Sequence, residues 1–301
     1  MKIPFYKFDG AGNDFVLLDC RKEPCRLTEE QIRYVCDRHF GVGADGLMTL
    51  SASSKADFEM TYYNSDGRVG SMCGNGGRCI TLFAYLLGIG GGKRSFDFVG
   101  YDGLHHSELL DWQASSGCGV VRLDMCEVDS VQPCTNRGLS SASEFAFDRG
   151  WVLDTGSPHL VVPVSNLRVL DVARVGALLR NERKLFPKGV NVDFVEMNGE
   201  LAMVRTFERG VEDETLACGT GVTAVALVAA SYLGGGSRTE NIVKVQTTHA
   251  LFEVGYDRCG TEAQPRFRNV CLTGPVSFNF EGVLDDEKLR HADRICNSFT
   301  F

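Results

Sequence analysis

The 301-residue chain lacks the features that would place it on nucleic acid or in a membrane. Acidic residues outnumber basic ones, the formal net charge is −8, and the charges are scattered, so we expect no nucleic-acid surface. The first ten residues lack an apolar core, which predicts no secretory signal. The longest apolar run is too short to span a bilayer. We therefore expect a cytoplasmic globular protein that binds neither nucleic acid nor membrane.

The chain also lacks Cys-x-x-Cys spacing, although it contains twelve cysteines. A structural zinc site therefore has no local signature, and a disulfide scaffold would be smaller and secreted. We interpret most of the cysteines as buried thiols. We expect no metal and no cofactor.

Two cysteines differ from the rest because each precedes an apolar helix. Cys73 opens the run Cys-Gly-Asn-Gly-Gly-Arg-Cys, and the apolar segment Ile80–Leu87 follows. Cys218 opens Cys-Gly-Thr-Gly, and Val222–Leu233 follows. The first helical turn has N–H groups without helical partners and carries the positive end of the macrodipole. Both positions therefore favour a thiolate and the approach of an anion.

Other landmarks repeat around these cysteines in the same order. Sixty residues separate Asn13 from Cys73, and 61 separate Ser157 from Cys218. The run Gly-Val-Gly-Ala-Asp-Gly-Leu in the first half aligns with Gly-Val-Asn-Val-Asp-Phe-Val in the second. We infer an internal duplication that gives two homologous lobes. We place them at residues 1–133 and 134–274, with the Ser-, Asn- and Gly-rich residues 134–150 as a linker.

Two helix-capped thiols, one in each lobe, suggest proton transfer by two bases. One thiolate removes a proton from carbon and a thiol on the other face donates one, so the stereocentre inverts. The helix N-termini would stabilise the carbanion through the substrate carboxylate. Three alternatives stay open: ordinary buried helix-start cysteines, a dithiol redox pair without its usual spacing, and a small amino-acid binding protein on the same scaffold.

Further candidates lie at the repeat landmarks. His159 and Glu208 could tune the pKa of the thiols, although a lone histidine is more often structural. Arg209 could clamp a carboxylate. Asparagines also mark the glycine-rich turns, where turn geometry alone would explain them: Asn13, Asn64 and Asn191.

The run from Gly41 to Gly46 is a literal G-x-G-x-x-G pattern. The residues after it, Leu47–Leu50, predict a strand, whereas a dinucleotide site needs a helix there. We therefore expect no nucleotide.

Six motifs together resemble a known family: Phe8–Phe15, Tyr63–Gly67, Met72–Cys79, Gly189–Asn191, Glu208–Gly210 and Ala217–Gly221. The family they resemble is diaminopimelate epimerase, and the similarity runs from about residue 3 to residue 282. Proline racemases are similar in plan. They typically carry His after the first Cys-Gly, where this chain has Asn75.

The resemblance implies an isomerase that interconverts LL- and meso-diaminopimelate without pyridoxal phosphate or metal, for lysine and peptidoglycan synthesis. Cys73 and Cys218 would be the acid/base pair, with His159 and Glu208 modulating their pKa. The backbone of four residues would hold the reacting carboxylate: Gly74, Asn75, Gly219 and Thr220. Glu208 would bind the reacting amine, and four residues the distal end of the substrate: Asn13, Asn64, Asn191 and Arg209.

The resemblance also implies a homodimer and an α/β (α+β) fold of two pseudo-symmetric lobes. Each lobe would be a curved β-sheet or barrel around its apolar helix, with the active site in the cleft between lobes. Residues 275–301 would return to the first lobe. The chain departs from the family at Ser157, where Asn is frequent, and at Gly46, where Gln sometimes occurs. Both remain further candidate contacts.

Overall fold

A computed structural model describes residues 2–24, 27–70, 72–236, 241–285 and 287–290. The chain forms two compact units, one comprising the residues up to Leu123 and those from Pro275, the other Asp124–Gly274. Residues 291–301, assigned from the sequence to the first lobe, lie outside the described residues. The first boundary falls before the expected position at residue 133, because the seventh strand already ends at Asp124.

The polar segment 134–150 lies wholly within the second unit, so it does not link the units. Its Asn136 is fully buried. The Asn136 amide donates to the carbonyl of Phe145 at 2.6 Å and accepts from the N–H of Phe147 at 2.9 Å. The polar side chains that suggested a linker thus include one that satisfies buried backbone groups of an irregular segment.

Among its described residues, the first unit has seven strands and two longer helices, together with the end of a later strand and the short helical stretch 287–290. The strands are β1 (Lys2–Gly10), β2 (Asn13–Asp19), β3 (Gly46–Ser51), β4 (Phe58–Asn64), β5 (Ser95–Gly100), β6 (Gly103–Gln113) and β7 (Cys118–Asp124). The helices are α1 (Glu29–Cys36) and α2 (Gly74–Leu86), and a 3₁₀ turn covers Ile89–Gly91.

The second unit contains the remaining elements. Its strands are β8 (Gln132–Cys134), β9 (Gly150–Asp154), β10 (Pro158–Pro163), β11 (Asn191–Asn198), β12 (Leu201–Glu208), β13 (Asp213–Thr215), β14 (Ile242–Gln246), β15 (Leu251–Gly260) and β16 (Pro265–Asp285). The helices are α3 (Val172–Arg180) and α4 (Gly219–Val228). Shorter turns cover Ser140–Ser143 and Leu167–Val169, and a π-helical turn covers Ala229–Leu233.

The strand pairings of the two units repeat. In the first unit, β1–β2 is antiparallel, β2–β3 parallel, β3–β4 antiparallel, β4–β5 parallel and β5–β6 antiparallel. In the second, β9–β10, β10–β11, β11–β12, β12–β14 and β14–β15 follow the same alternation. The predicted duplication is therefore confirmed. The end of β16 pairs with β1 from Ser277 to Asp285 and neighbours β7, which closes the first sheet into a barrel.

The strands of each unit surround one apolar helix. In α2, Leu82 and Phe83 are fully buried, and the Phe83 ring packs against Phe8 with centroids 5.7 Å apart. In α4, the residues from Ala224 to Val228 are fully buried. Burying one large aliphatic or aromatic side chain stabilises a fold by about 1.5–3 kcal/mol, so these helices anchor their units. Among the described residues, no helix has both the length and the apolar character needed to cross a bilayer.

Candidate active site

In the first unit, strand register brings three candidate residues to one edge of the sheet. Parallel β2 and β3 align Phe15 with Gly46, and antiparallel β3 and β4 pair Gly46 with Asn64. Asn13 begins β2. The start of β2, the start of β3 and the end of β4 therefore lie side by side, which explains why separate motifs supply these residues.

Cys73 is the N-cap of α2, as expected from the sequence. Its backbone is extended, with φ −115° and ψ 117°, and its side chain is half-buried. The thiol donates to Asn13 Oδ1 at 3.8 Å, and Asn75 Nδ2 donates to the same oxygen at 3.1 Å. The predicted residues Asn13, Cys73 and Asn75 therefore form one cluster at the start of the helix.

The Gly41–Gly46 run supports this cluster through Asp45. Asp45 accepts a hydrogen bond from Asn13 Nδ2 at 2.7 Å, so the Asn13 oxygen faces Cys73. Arg38 donates to Asp45 and to Asp14, at 2.7 Å in each case. Lys7 donates to Asp14 at 2.6 Å. Burial raises the pKa of Asp14, but the bonds from Arg38 and Lys7 outweigh it and lower that pKa to about 2.

Arg78 holds the first turn of α2 in place through hydrogen bonds. Its side chain is fully buried, and burial lowers the pKa of the guanidinium. It donates to Asn75 Oδ1 at 3.0 Å, to the Gly74 carbonyl at 3.3 Å and to the Pro275 carbonyl at 3.4 Å. A β-carbon at Gly10 would lie 2.9 Å from the Asn75 carbonyl, so only glycine leaves room for this turn.

Gly46 and Asn64 differ in what they can offer. A β-carbon at Gly46 would lie 2.5 Å from the ring of Tyr62, so this position can contribute only backbone. Asn64 is exposed, and its N–H donates to the Arg68 carbonyl at 2.9 Å in the turn after β4.

In the second unit, Cys218 is the N-cap of α4, with φ −114° and ψ 109°. Its side chain is buried, and Sγ lies 3.3 Å from Thr220 Oγ1. Burial raises the pKa of Cys218 well above its ordinary value, and the charges of Glu208 and Asp193 raise it further. The expectation that the helix N-terminus favours a thiolate is wrong at Cys218, because desolvation and two carboxylates outweigh the backbone N–H groups.

His159 connects Cys218 to a buried carboxylate. His159 and Asp193 are both fully buried, and His159 Nδ1 lies 2.7 Å from Asp193 Oδ2. His159 Nε2 lies 2.9 Å from Thr220 Oγ1, the hydroxyl that contacts Cys218. Thr206 Oγ1 donates to the other oxygen of Asp193 at 2.7 Å. The histidine therefore occupies a continuous hydrogen-bonded chain.

Asn191 is buried at the start of β11, and its register partner across parallel β10 is His159. Its Nδ2 donates to Ser157 Oγ and, at 3.2 Å, to the Pro158 carbonyl. Its Oδ1 accepts the N–H of Arg209 at 2.8 Å. Asn191 thus joins two further candidates, Ser157 and Arg209, through its own amide.

Glu208 ends β12, and its carboxylate accepts a hydrogen bond from Thr215 at 3.0 Å. Burial raises the pKa of Glu208, while Thr215, the charge of His159 and a hydrogen bond with Cys218 lower it less. Arg209 Nη1 lies 3.5 Å from the Lys188 carbonyl. Arg209 also borders a pocket of about 540 Å³, which Pro158 and Val190 line as well.

The residues match a known family model described as diaminopimelate epimerase, over residues 5–111 and 151–265. A diaminopimelate epimerase from Chlorobaculum tepidum is 40% identical over 277 residues, covering 91% of this chain and 98% of that protein. One from Flavobacterium psychrophilum is 38% identical, covering 93% of this chain and 99% of its own length. The chain belongs to the diaminopimelate epimerase family.

Solved structures share the fold of this family member. A probable proline racemase from Agrobacterium radiobacter aligns with a TM-score of 0.68 and 14% identity, covering 94% of this chain and 93% of that one. A hydroxyproline epimerase from Agrobacterium vitis, solved with trans-4-hydroxy-L-proline, aligns with a TM-score of 0.67 and 14% identity, covering 96% and 94%. At these identities the similarity concerns the two-lobe fold alone.

Several supporting residues were missed in the sequence. Arg78 lies in the motif that begins at Cys73, and its position as the fifth residue of an apolar helix indicates a buried charge. Asp45 and Asp193 occupy the same place in the two aligned repeats, and this coincidence could have singled them out. Thr155, whose hydroxyl donates to the Thr220 carbonyl at 2.9 Å, carried no signal.

Proposed function

We propose that the protein is a cofactor-independent epimerase that interconverts LL- and meso-diaminopimelate, supplying lysine and peptidoglycan synthesis. The observation that carries the proposal is the pair of thiols, each the N-cap of a buried helix in one of two duplicated units. The name shared by relatives that are up to 40% identical over almost their whole length supports the substrate.

The proposed reaction needs two thiols in opposite protonation states. The thiolate removes the α-proton and leaves the electron pair on carbon, and the thiol on the other face then gives its proton to that carbon. The first cysteine ends as a thiol and the second as a thiolate, so protons and charge balance. Cys73 and Cys218 take these roles, and the direction of the reaction decides which of them is the base.

The carbanion is the costly intermediate, and we assign its stabilisation to backbone N–H groups. Each helix begins directly after its cysteine, so the N–H groups of the first turn lie without intrahelical partners beside the thiol. Four of them would bind the reacting carboxylate and stabilise charge that spreads into it: those of Gly74, Asn75, Gly219 and Thr220. Arg78, by bonding to the Gly74 carbonyl and Asn75 side chain, keeps one of these turns rigid.

We assign the remaining side chains by their surroundings. Glu208, half-buried and bonded to Thr215, would bind the reacting ammonium group and, with His159, modulate the thiols. The distal amino-acid end would be bound by Asn13, Asn64, Asn191 and Arg209. Ser157 and the backbone of Gly46 are further candidate contacts. The half-buried Arg209, beside a pocket, has the fork geometry that suits a carboxylate.

The first test replaces each thiol separately. Cys73→Ala and Cys218→Ala should each lower the epimerisation rate by about a thousandfold or more, because a lost acid or base removes a whole proton transfer. Cys118→Ala, at an exposed position on β7, is the matched control and should keep the native rate. Full activity in either site variant would refute the two-thiol mechanism.

The substrate is tested by offering LL-diaminopimelate and L-proline side by side. We expect inversion of diaminopimelate only. Inversion of proline alone would move the protein to the racemase branch. Ligand binding without any exchange of the α-proton would favour an amino-acid binding protein.

The assembly proposed here is a cytoplasmic homodimer, which the family resemblance supports. Sedimentation velocity would test it, with a species of twice the chain mass expected at micromolar concentration. A monomer that retains full activity would contradict the proposal.

A further inference from the structure

Asp193 is a fully buried carboxylate to which the proposed reaction assigns no role. It lies on β11, two residues after Asn191, and both of its oxygens are engaged. Oδ2 meets His159 Nδ1 at 2.7 Å, and Oδ1 accepts the hydroxyl of Thr206 at 2.7 Å. Burying a carboxylate is costly unless its partners compensate, so its place beside a buried histidine calls for an explanation.

The hydrogen bonds of Asn191 and Asp193 with His159 show which nitrogen of the ring carries the proton. The N–H of Arg209 can only donate, so the atom of Asn191 that it contacts is Oδ1. The Pro158 carbonyl can only accept, which places Asn191 Nδ2 on the other side. That same Nδ2 lies 3.3 Å from His159 Nε2, a contact compatible with Nε2 as acceptor, but its two hydrogens also have Ser157 Oγ and the Pro158 carbonyl as acceptors. The decisive contact is the one with Asp193: a carboxylate oxygen can only accept, so His159 Nδ1, 2.7 Å from Asp193 Oδ2, is the donor. The proton of the neutral ring is therefore on Nδ1, facing Asp193.

This tautomer determines the donor and the acceptor in each hydrogen bond between His159 and Cys218. With Nε2 as an acceptor, the hydroxyl of Thr220 donates to it at 2.9 Å. The Thr220 oxygen then accepts from the Cys218 thiol at 3.3 Å. The sequence of bonds runs from Cys218 through Thr220 and His159 to Asp193, each donor pointing toward the carboxylate.

The fold leaves space for Asp193 at the start of α4. A β-carbon at Gly221 would lie 2.4 Å from Asp193 Oδ1 and 3.3 Å from His159 Cε1. The glycine after Thr220 therefore lets the first turn of the helix approach the carboxylate. The same turn carries Cys218, so the carboxylate, the histidine and the thiol are held in one fixed arrangement.

We propose that Asp193 is a positioning residue that holds His159 in the Nδ1–H tautomer and so completes a proton relay to Cys218 through Thr220. The proposal rests on the proposed function, because it gives Cys218 a proton to exchange. In the relay, the S–H bond breaks and its proton joins the Thr220 oxygen, while the hydroxyl proton passes to His159 Nε2. The products are a thiolate and an imidazolium, and the Asp193 charge stabilises the imidazolium.

Among the described residues, Glu208 and Cys218 are further titratable groups near His159: the charge of His159 acts on Glu208, and the charge of Glu208 acts on Cys218. Glu208 offers a competing acceptor for the Cys218 proton. The relay differs from that route in needing the Thr220 hydroxyl and a specific histidine tautomer. Both requirements can be tested one at a time.

The direct test is nitrogen NMR of the full chain labelled with ¹⁵N-histidine, of which there are six residues. Comparison with His159→Gln identifies the resonances of His159. We expect the neutral ring of the native protein to be protonated at Nδ1 and unprotonated at Nε2. A native ring protonated at Nε2 would overturn the proposal without any variant of Asp193.

The decisive variant is Asp193→Asn, which keeps shape and removes charge. Thr206 donates to the first oxygen, so asparagine would turn its NH₂ group toward His159 Nδ1 and force the proton onto Nε2. A wrongly held tautomer disables an acid–base histidine, and kcat for diaminopimelate should fall about a hundredfold with a smaller change in KM. Thr206→Val is the matched control, because it removes the other hydrogen bond to Asp193 but keeps the charge and the tautomer.

A second pair of variants covers the case in which Asp193→Asn folds poorly. Thr220→Ser keeps the hydroxyl and should retain most of the native kcat, whereas Thr220→Val should lose it to the same extent as Asp193→Asn. Equal kcat values for Thr220→Ser and Thr220→Val would overturn the relay. An unchanged tautomer together with an unchanged kcat in Asp193→Asn would also overturn it. If the tautomer responds as expected but diaminopimelate is never inverted, the proposed function fails while the role of Asp193 toward His159 stands.

Discussion

Asp14→Asn removes the centre of the ion cluster that holds Asn13 in place. In the native protein, Asp14 bonds to Lys7 at 2.6 Å and to Arg38 at 2.7 Å, and its side chain is 16% exposed. Its pKa falls from 3.8 to about 2 on folding. A shift of that size corresponds to about 2 kcal/mol of stability at neutral pH. The variant should lose at least this much, because it also leaves the buried Lys7 without its carboxylate.

The pH dependence of this loss has a definite sign. A carboxyl group whose pKa is lowered by folding stabilises the protein above its unfolded pKa, here 3.8, and that contribution disappears as the pH falls through about 2. The difference in unfolding free energy between wild type and Asp14→Asn should therefore be full at pH 7. It should fall to about half at pH 3.

Urea unfolding at pH 7 and at pH 3 measures this difference. Asp19→Asn is the matched control, because Asp19 pairs with Arg21 near the surface, where each side chain is about a third exposed. Folding lowers the pKa of Asp19 as well, but exposed pairs contribute only about 0–1 kcal/mol, so the control should lose less stability than Asp14→Asn. A difference for Asp14→Asn that is equal at both pH values, or no larger than that of the control, would refute the reasoning.

Three further substitutions should change the free energy of unfolding, two lowering it and one raising it, and urea unfolding at pH 7 measures each change. Gly221→Ala should cost about 1–3 kcal/mol, because its β-carbon would lie 2.4 Å from the buried Asp193 carboxylate. Gly76→Ala, at the equivalent turn of the other unit, should cost less, because it meets only the flexible end of Met48 at 2.9 Å; equal costs would contradict this. Burial raises the pKa of Glu208 on folding. Its ionised form therefore lowers the free energy of unfolding above the folded-state pKa, and this loss of stability vanishes below the unfolded pKa of about 4.5. Glu208→Gln should therefore be more stable than wild type at pH 7 but less active, and a less stable variant would count against the burial argument.

The arrangement of the fold was readable because the repeat left marks in the sequence. The two Cys-Gly-x-Gly runs and the aligned Asp45 and Asp193 segments occur in the same order and at nearly the same spacing. The alternating parallel and antiparallel pairings follow that order in both units. Apolar helices with no polar face also predicted correctly that α2 and α4 would be buried.

What the sequence could not supply was the environment of each group. The helix N-terminus at Cys218 predicted a lowered thiol pKa, but burial and the carboxylates of Glu208 and Asp193 raise that pKa instead. These neighbours come from β11 and β12, and their distance from Cys218 depends on tertiary packing. The polar residues around Asn136 resembled a linker for the same reason, since composition does not reveal which side chains satisfy buried backbone groups.

The most direct test of the central claim is the isotope content of the product formed in D₂O. Reduced protein is mixed with protiated LL-diaminopimelate, and the reaction is stopped when a few per cent has turned over. With two thiols, the thiol that donates has exchanged with solvent, so the meso product should carry deuterium at the inverted carbon while recovered LL substrate keeps its proton. Deuterium appearing equally in recovered substrate and product, or meso product that retains the original proton, would contradict the two-thiol account.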